Sequence, residues 1–344
     1  MDIFFIFKLS FSIAAALTYC YFITTKIPKG ILRLLSLLPI ILLFSLIPLH
    51  LTSAFNTAIA VFFLTWLGNF KLILFAFETG PLCSNSKKLS FPLFIAFSIL
   101  PIRSKTVLVK RVSKFDLCLA TEVVLLGVLF TVVDNYRGFI DSIHTKLIWV
   151  FYCLQTFLLV DVLIAGSNGL AKVLFGLELE PPSNKPYLAT SLQDFWGRRW
   201  NLMVTNILRI TIYKPVRSFA AHLVGEPTAK LTAIIATFLV SGLMHELLFY
   251  YVTKVSPTWE MTGFFVLHGV CVVVEFGLKK VFAGRRELPE MVLVVLTVGF
   301  VVATSFWLFF PPIINSGADT KVLDEFSMFV GYVKNIVPSQ LKIF

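Results

Sequence analysis

A histidine inside an apolar run is the sharpest chemical feature of this chain. His245 stands in LVSGLMHELLFYY, about two-thirds along the apolar stretch Leu231–Tyr251. An ionisable side chain within such a stretch is expensive, so it is read first as functional. A neutral imidazole there can accept a proton, which is what general-base catalysis requires. The structural alternative is a histidine hydrogen-bonded to a neighbouring helix. Ser241 and Gly242, at i−4 and i−3, share its face and are small enough to let another helix or a substrate approach. Glu246 follows directly and cannot share that face. Zinc chemistry needs H-E-x-x-H, but His245-Glu246 is followed by Leu247, Leu248 and Phe249.

Two further residues enter the same account. Asn201, in FWGRRWNLMVTN, is either a helix cap or an amide donor for a developing oxyanion. His268, in FFVLHGVCVVVE, has Glu275 two turns away, about 10.8 Å along a helix and too far to pair. It reads as a packing or supporting group, with a place beside a substrate channel as the alternative. His50, His144 and His222 lie at segment ends or in polar stretches and read as solvated. No G-x-S-x-G, Walker-A or G-x-G-x-x-G sequence occurs, so serine-hydrolase, P-loop and dinucleotide readings lack a motif.

The elements that must position these residues are membrane helices. Of 344 residues, 57% are hydrophobic and 14% charged, against roughly 45–50% and about 25% in soluble domains. With a mean hydropathy of +0.86, a soluble globular protein is excluded. At about 20 apolar residues per crossing, the chain has room for about eight or nine. Candidate windows are Ile3–Thr24, Ile31–Leu49, Leu51–Phe77, Phe115–Val133, Leu147–Ala165, Leu231–Tyr251, Trp259–Leu278 and Met291–Phe310. The first is longer than a signal-peptide core and reads as a retained helix. Asn69 and Lys71 predict a bend or split in the third. Phe91–Ile102, between Pro92 and Pro101, is too short to span and reads as re-entrant or interfacial. The expected fold is therefore all-α and polytopic, one membrane-embedded domain over 1–344. Within it, 171–230 forms an interfacial or cytosolic section and 231–310 the last three crossings.

The net charge is +11, and basic residues gather in Arg103–Lys114 and Lys279–Arg286, which predicts a cytoplasmic side for both. Part of the excess remains available for an anionic substrate. Nucleic acid is not a candidate partner, because the basic residues are dispersed between apolar runs. Between Tyr187 and Val216, Trp196 and Trp200 are interleaved with Arg198, Arg199, Arg209 and Lys214, a mixture suited to the headgroup level of membrane lipids.

Two strings, SLQDFWGRRWNLMVTNILRITIYKPVR at Ser191–Arg217 and SGLMHELLFYY at Ser241–Tyr251, carry a family resemblance. With 44 positions between Asn201 and His245, the chain resembles the membrane-bound O-acyltransferases, in their plant wax synthase branch. YCYFITTKIPKG at Tyr19–Gly30 and NFKLILFAFETGPL at Asn69–Leu82 add to the likeness. The resemblance implies an enzyme of the endoplasmic reticulum membrane. Acyl-CoA would enter an internal chamber from the cytosol, a lipid alcohol would enter from the bilayer, and no metal or cofactor is needed. It implies His245 as the catalytic base and Asn201 as its polar partner. Arg198, Arg199, Lys214 and Arg217 become candidates for the CoA phosphates, with surface anchoring as the alternative. Trp196 and Trp200 would stack on adenine or mark the interface, and His268 would line the substrate path. The expected product is a wax ester. A sterol or diacylglycerol acceptor, or an acetyl donor, keeps the same chemistry. A transporter or channel, with Glu122, Asp161, His245 and His268 as a polar pathway, is the reading from another class.

Overall fold

Apolar side chains cover most helix faces here, so the sequence dictates helices whose backbone groups are satisfied internally and whose surfaces meet lipid. A computed structural model describes residues 3–83, 89–101, 107–108, 117–136, 145–178, 181–282 and 288–336. The described helices are α1 (Ile3–Phe22), α2 (Ile31–Leu46), α3 (Ala54–Ala76), α4 (Phe91–Ile99), α5 (Leu117–Tyr136) and α6 (Thr145–Phe175). They continue with α7 (Leu202–Leu208), α8 (Lys214–Val224), α9 (Glu226–Thr253), α10 (Glu260–Val281), α11 (Glu290–Asn315) and α12 (Ala318–Ile336). Among the described residues, seven helical stretches are long and apolar enough to cross a membrane. α5, which covers most of the expected window Phe115–Val133, is a further 20-residue helix packed along α6. The only strand pairing described is a two-residue antiparallel pair, Val107–Leu108 with Leu177–Glu178. The rest of the basic loop Arg103–Lys114, residues 283–287 of the second basic run, and His144 lie outside the described residues.

α3 is the central element, with Val61–Asn69 buried throughout. It is continuous, neither split nor broken at Asn69 and Lys71, because other helices satisfy those side chains. Asn69 Nδ2 donates to Ser45 Oγ at 3.0 Å on α2. Lys71 Nζ donates to Phe97 O at 2.9 Å and to Leu100 O, taking carbonyls from the C-terminal turn of α4. A cation there meets the negative end of the helix dipole. What the sequence reads as a bend is instead a π-helical stretch, Val61–Gly68. At the other end of α3, Glu325 of α12 accepts from the backbone N–H groups of Ala54 (2.5 Å) and Phe55 (3.0 Å), and Ser53 Oγ donates to it. Four orphan N–H groups begin every helix, and here an acidic side chain from the far end of the chain meets two of them.

α9 and α10 form a hairpin whose closeness is set by glycines. A Cβ at Gly242 would lie 2.8 Å from Thr262 Cα, and one at Gly269 would lie 2.9 Å from Phe238 Cβ. The small residue beside His245 therefore admits a helix backbone. Glu246, next to His245, accepts from Thr262 N at 3.1 Å and caps the first turn of α10.

Candidate active site

His245 is held by its own helix and ringed by three others. Its Nδ1 lies 2.7 Å from the carbonyl oxygen of Ser241. A carbonyl only accepts, so Nδ1 carries the hydrogen and Nε2 presents its lone pair. Nε2 has no partner among the described residues, and the ring keeps part of its surface accessible. Around it stand Phe265 of α10 (ring centroids 4.3 Å), Trp66 of α3 (5.4 Å, edge-on) and Phe309 of α11 (6.0 Å). Trp66 and Phe309 both lie in π-helical stretches, Val61–Gly68 and Ser305–Phe309. Such turns recur at functional sites because they re-aim side chains within a helix.

Asn201 takes the first of its two expected roles, that of a helix cap. It sits at φ 36°, in the left-handed region that asparagine tolerates, and its Oδ1 accepts from Val204 N at 3.2 Å as the cap of α7. With the oxygen used, the Nδ2 group is what the residue has left to offer a ligand. Met203, Val204, Ile207 and Leu208 of α7 share one buried cluster with Trp66, and Val240 and Met244 of α9 join it. One core thus positions both the asparagine helix and the histidine helix around a shared indole.

The section 171–230 is accordingly more than an interfacial layer, since Phe195 and the inner face of α7 belong to the buried core. Helix continues from α7 through a π turn at Arg209–Tyr213 into α8. Pro215 follows that turn directly and has no N–H for an i−4 bond, which the wider turn accommodates.

His268 is fully buried and its nitrogens are both engaged. Trp196 Nε1–H donates to Nδ1 at 2.9 Å; Nε2–H donates to Thr304 Oγ1 at 2.9 Å, which donates on to Phe300 O at 2.8 Å. The ring is a strut between the motif section, α10 and α11. Trp196 also meets the rings of Phe238, Phe264, Phe265 and His268. Trp200 stacks on Phe195 with ring planes 10° apart.

The basic residues divide in two. Arg199 is committed: its Nε donates to Asp194 Oδ2 at 2.5 Å and a terminal nitrogen reaches Lys185 O at 3.3 Å. Arg217 pairs with Glu226 across the junction of α8 and α9. Arg198 and Lys214 are exposed and make no ion pair among the described residues. Asp161 accepts from Ser183 Oγ at 2.6 Å. With His268 also satisfied locally, a polar pathway through Asp161 and His268 is not what these residues build. His50 and His222 are exposed, as expected. Trp66 escapes sequence reasoning altogether, because an aromatic in an apolar run looks like core; its nearness to Asn69 and Lys71 is the one hint.

The fold and the site define a helical, multi-pass membrane protein with a histidine inside one crossing whose Nε2 is unpartnered among the described residues. The model of the membrane bound O-acyl transferase family matches residues 179–267, the stretch that holds Asn201 and His245. The chain is 42% identical over 330 residues to a long-chain-alcohol O-fatty-acyltransferase of Simmondsia chinensis, covering 94% of this chain and 93% of that protein. It is 39% identical over 319 residues to acyl-CoA-sterol O-acyltransferase 1 of Arabidopsis thaliana, covering 91% of each. The chain belongs to the membrane bound O-acyl transferase family. It is an acyltransferase, and the transporter or channel reading falls.

Proposed function

We propose that this enzyme transfers a fatty acyl group from acyl-CoA to the hydroxyl of a long-chain alcohol, giving a wax ester, with His245 as the general base. The observation that carries this reading is the Nδ1–H bond to Ser241 O, which turns the lone pair of Nε2 outward. Nε2 takes the hydroxyl proton as the alcohol oxygen attacks the thioester carbonyl. A C–O bond forms and the carbonyl electrons move onto oxygen, where Asn201 Nδ2 donates a hydrogen bond. Collapse breaks the C–S bond, and the departing thiolate recovers the proton from the imidazolium. A thioester is already activated, so orientation of the two reactants supplies much of the rate.

Arg198 and Lys214 are the first candidates for the CoA phosphates, because Arg199 and Arg217 already have carboxylate partners. The enzyme would work in the endoplasmic reticulum membrane. The likeness to the long-chain-alcohol O-fatty-acyltransferase of Simmondsia chinensis supports the fatty alcohol as acceptor. A sterol acceptor is the second reading, favoured by the 39% identity to a sterol O-acyltransferase. The test is expression in cells that lack neutral-lipid synthesis, with labelled acyl-CoA offered alongside hexadecanol, a sterol and diacylglycerol. Wax ester as the main product is expected; steryl ester or triacylglycerol in its place would overturn the acceptor assignment.

A further inference from the structure

Trp66 is buried to 3% exposure, yet its indole N–H has no hydrogen-bond acceptor among the described residues. Buried indole N–H groups normally find partners, and Trp196 does so at Nδ1 of His268. An orphaned donor in a native core calls for an explanation, and one recurring explanation is a catalytic role. Three observations point the same way. The indole stands edge-on to the imidazole of His245, centroids 5.4 Å apart and planes at 78°. It belongs to the cluster that seats α7, directly after Asn201. It also lies in the π-helical stretch of α3, where eight consecutive residues are buried.

We propose that Trp66 is a hydrogen-bond donor to the reacting acyl group, its N–H receiving the thioester carbonyl oxygen while His245 activates the alcohol. This rests on the acyl-transfer reading above. Phe62 stands edge-to-face with the indole, ring centroids 5.9 Å apart, and Met203 and Val204 share its buried apolar cluster. A carbonyl oxygen brought to His245 would therefore meet a desolvated donor already fixed in place, the arrangement that stabilises a developing oxyanion most. Asn201 Nδ2 then supplies a second donor, or orients the alcohol.

The test uses the full-length protein in detergent micelles and two unreactive analogues of palmitoyl-CoA: the thioether, which lacks the carbonyl, and the ketone, which keeps it. The wild type is expected to bind the ketone more tightly than the thioether. Trp66→Phe is expected to abolish that preference while leaving thioether binding within about threefold, and to lower kcat about 100-fold with KM for palmitoyl-CoA little changed. Trp66→Tyr keeps a donor and is expected to recover part of both effects. An unchanged ketone preference in Trp66→Phe, or a Trp66→Tyr variant as impaired as Trp66→Phe, would overturn the proposal. If Trp66→Phe does not fold, the Trp66→Tyr preference decides alone: retained, it supports the donor; lost with thioether binding intact, it overturns it. A wild type that makes no ester at all sinks the acyl-transfer reading instead, and the analogue pair still reads out Trp66.

Discussion

Trp196 donates its indole N–H to Nδ1 of His268 at 2.9 Å, and this bond makes the two membrane histidines chemically opposite. His268 is forced into the Nε2–H tautomer, with both nitrogens occupied and no exposed surface. His245 is forced into the Nδ1–H tautomer by Ser241 O and keeps Nε2 unbonded. Two mid-helix histidines thus divide into one with both nitrogens engaged and one with a nitrogen left for a ligand.

Removal of the donor should be felt as lost stability. Trp196→Phe leaves Nδ1 of a sealed imidazole unpaired, at a cost of about 1–3 kcal/mol. A lower unfolding midpoint in detergent is expected, with the specific activity of the folded fraction falling much less than in any His245 variant. A fall in activity without loss of stability would place Trp196 at the substrate instead.

Asn201 offers a clean separation of cap from chemistry. Asn201→Asp keeps an oxygen for Val204 N and removes the Nδ2–H donors, so the fold should survive while kcat falls about 10²–10³-fold. Steady-state kinetics at fixed protein level measure this, and a change confined to KM would contradict the oxyanion role.

The sequence alone reveals only some of these residues' roles. His245 and Asn201 stand out because their types are costly or unusual amid apolar residues. Which nitrogen of His245 is free depends on a backbone carbonyl, and His268 becomes a strut only because Trp196 arrives from 72 positions away. Asn69 and Lys71 announce polarity in a span, but their partners on α2 and α4 come from elsewhere in the chain, so a bend is the natural misreading. Arg198 and Arg199 are adjacent and alike in sequence; only the fold gives one of them Asp194.

The α9–α10 hairpin should be intolerant of one added methyl group. Gly242→Ala forces Cβ to within 2.8 Å of Thr262 Cα, an overpacking worth about 1–3 kcal/mol, and shifts His245 relative to Phe265. Gly263→Ala on the same hairpin has open space around its Cβ and should be neutral or slightly stabilising. Thermal unfolding and activity of the two variants, measured together, check both halves of the expectation.

The adjacent arginines should separate by phenotype. Arg199→Ala breaks the bond to Asp194 and frees the turn Phe195–Arg199, so accumulation and stability should drop. Arg198→Ala should leave stability unchanged and raise KM for acyl-CoA several-fold, with a weaker dependence on ionic strength than the wild type. Equal stability of the two variants would contradict the division.

The central claim is that His245 removes the proton from the acceptor. The direct measurement is single-turnover ester formation from labelled palmitoyl-CoA and hexadecanol, comparing wild type with His245→Ala at equal amounts of folded protein. A loss of about 10²–10⁴-fold in the chemical step, with palmitoyl-CoA still bound, is the predicted result. Ester formation within about twofold of wild type would contradict it.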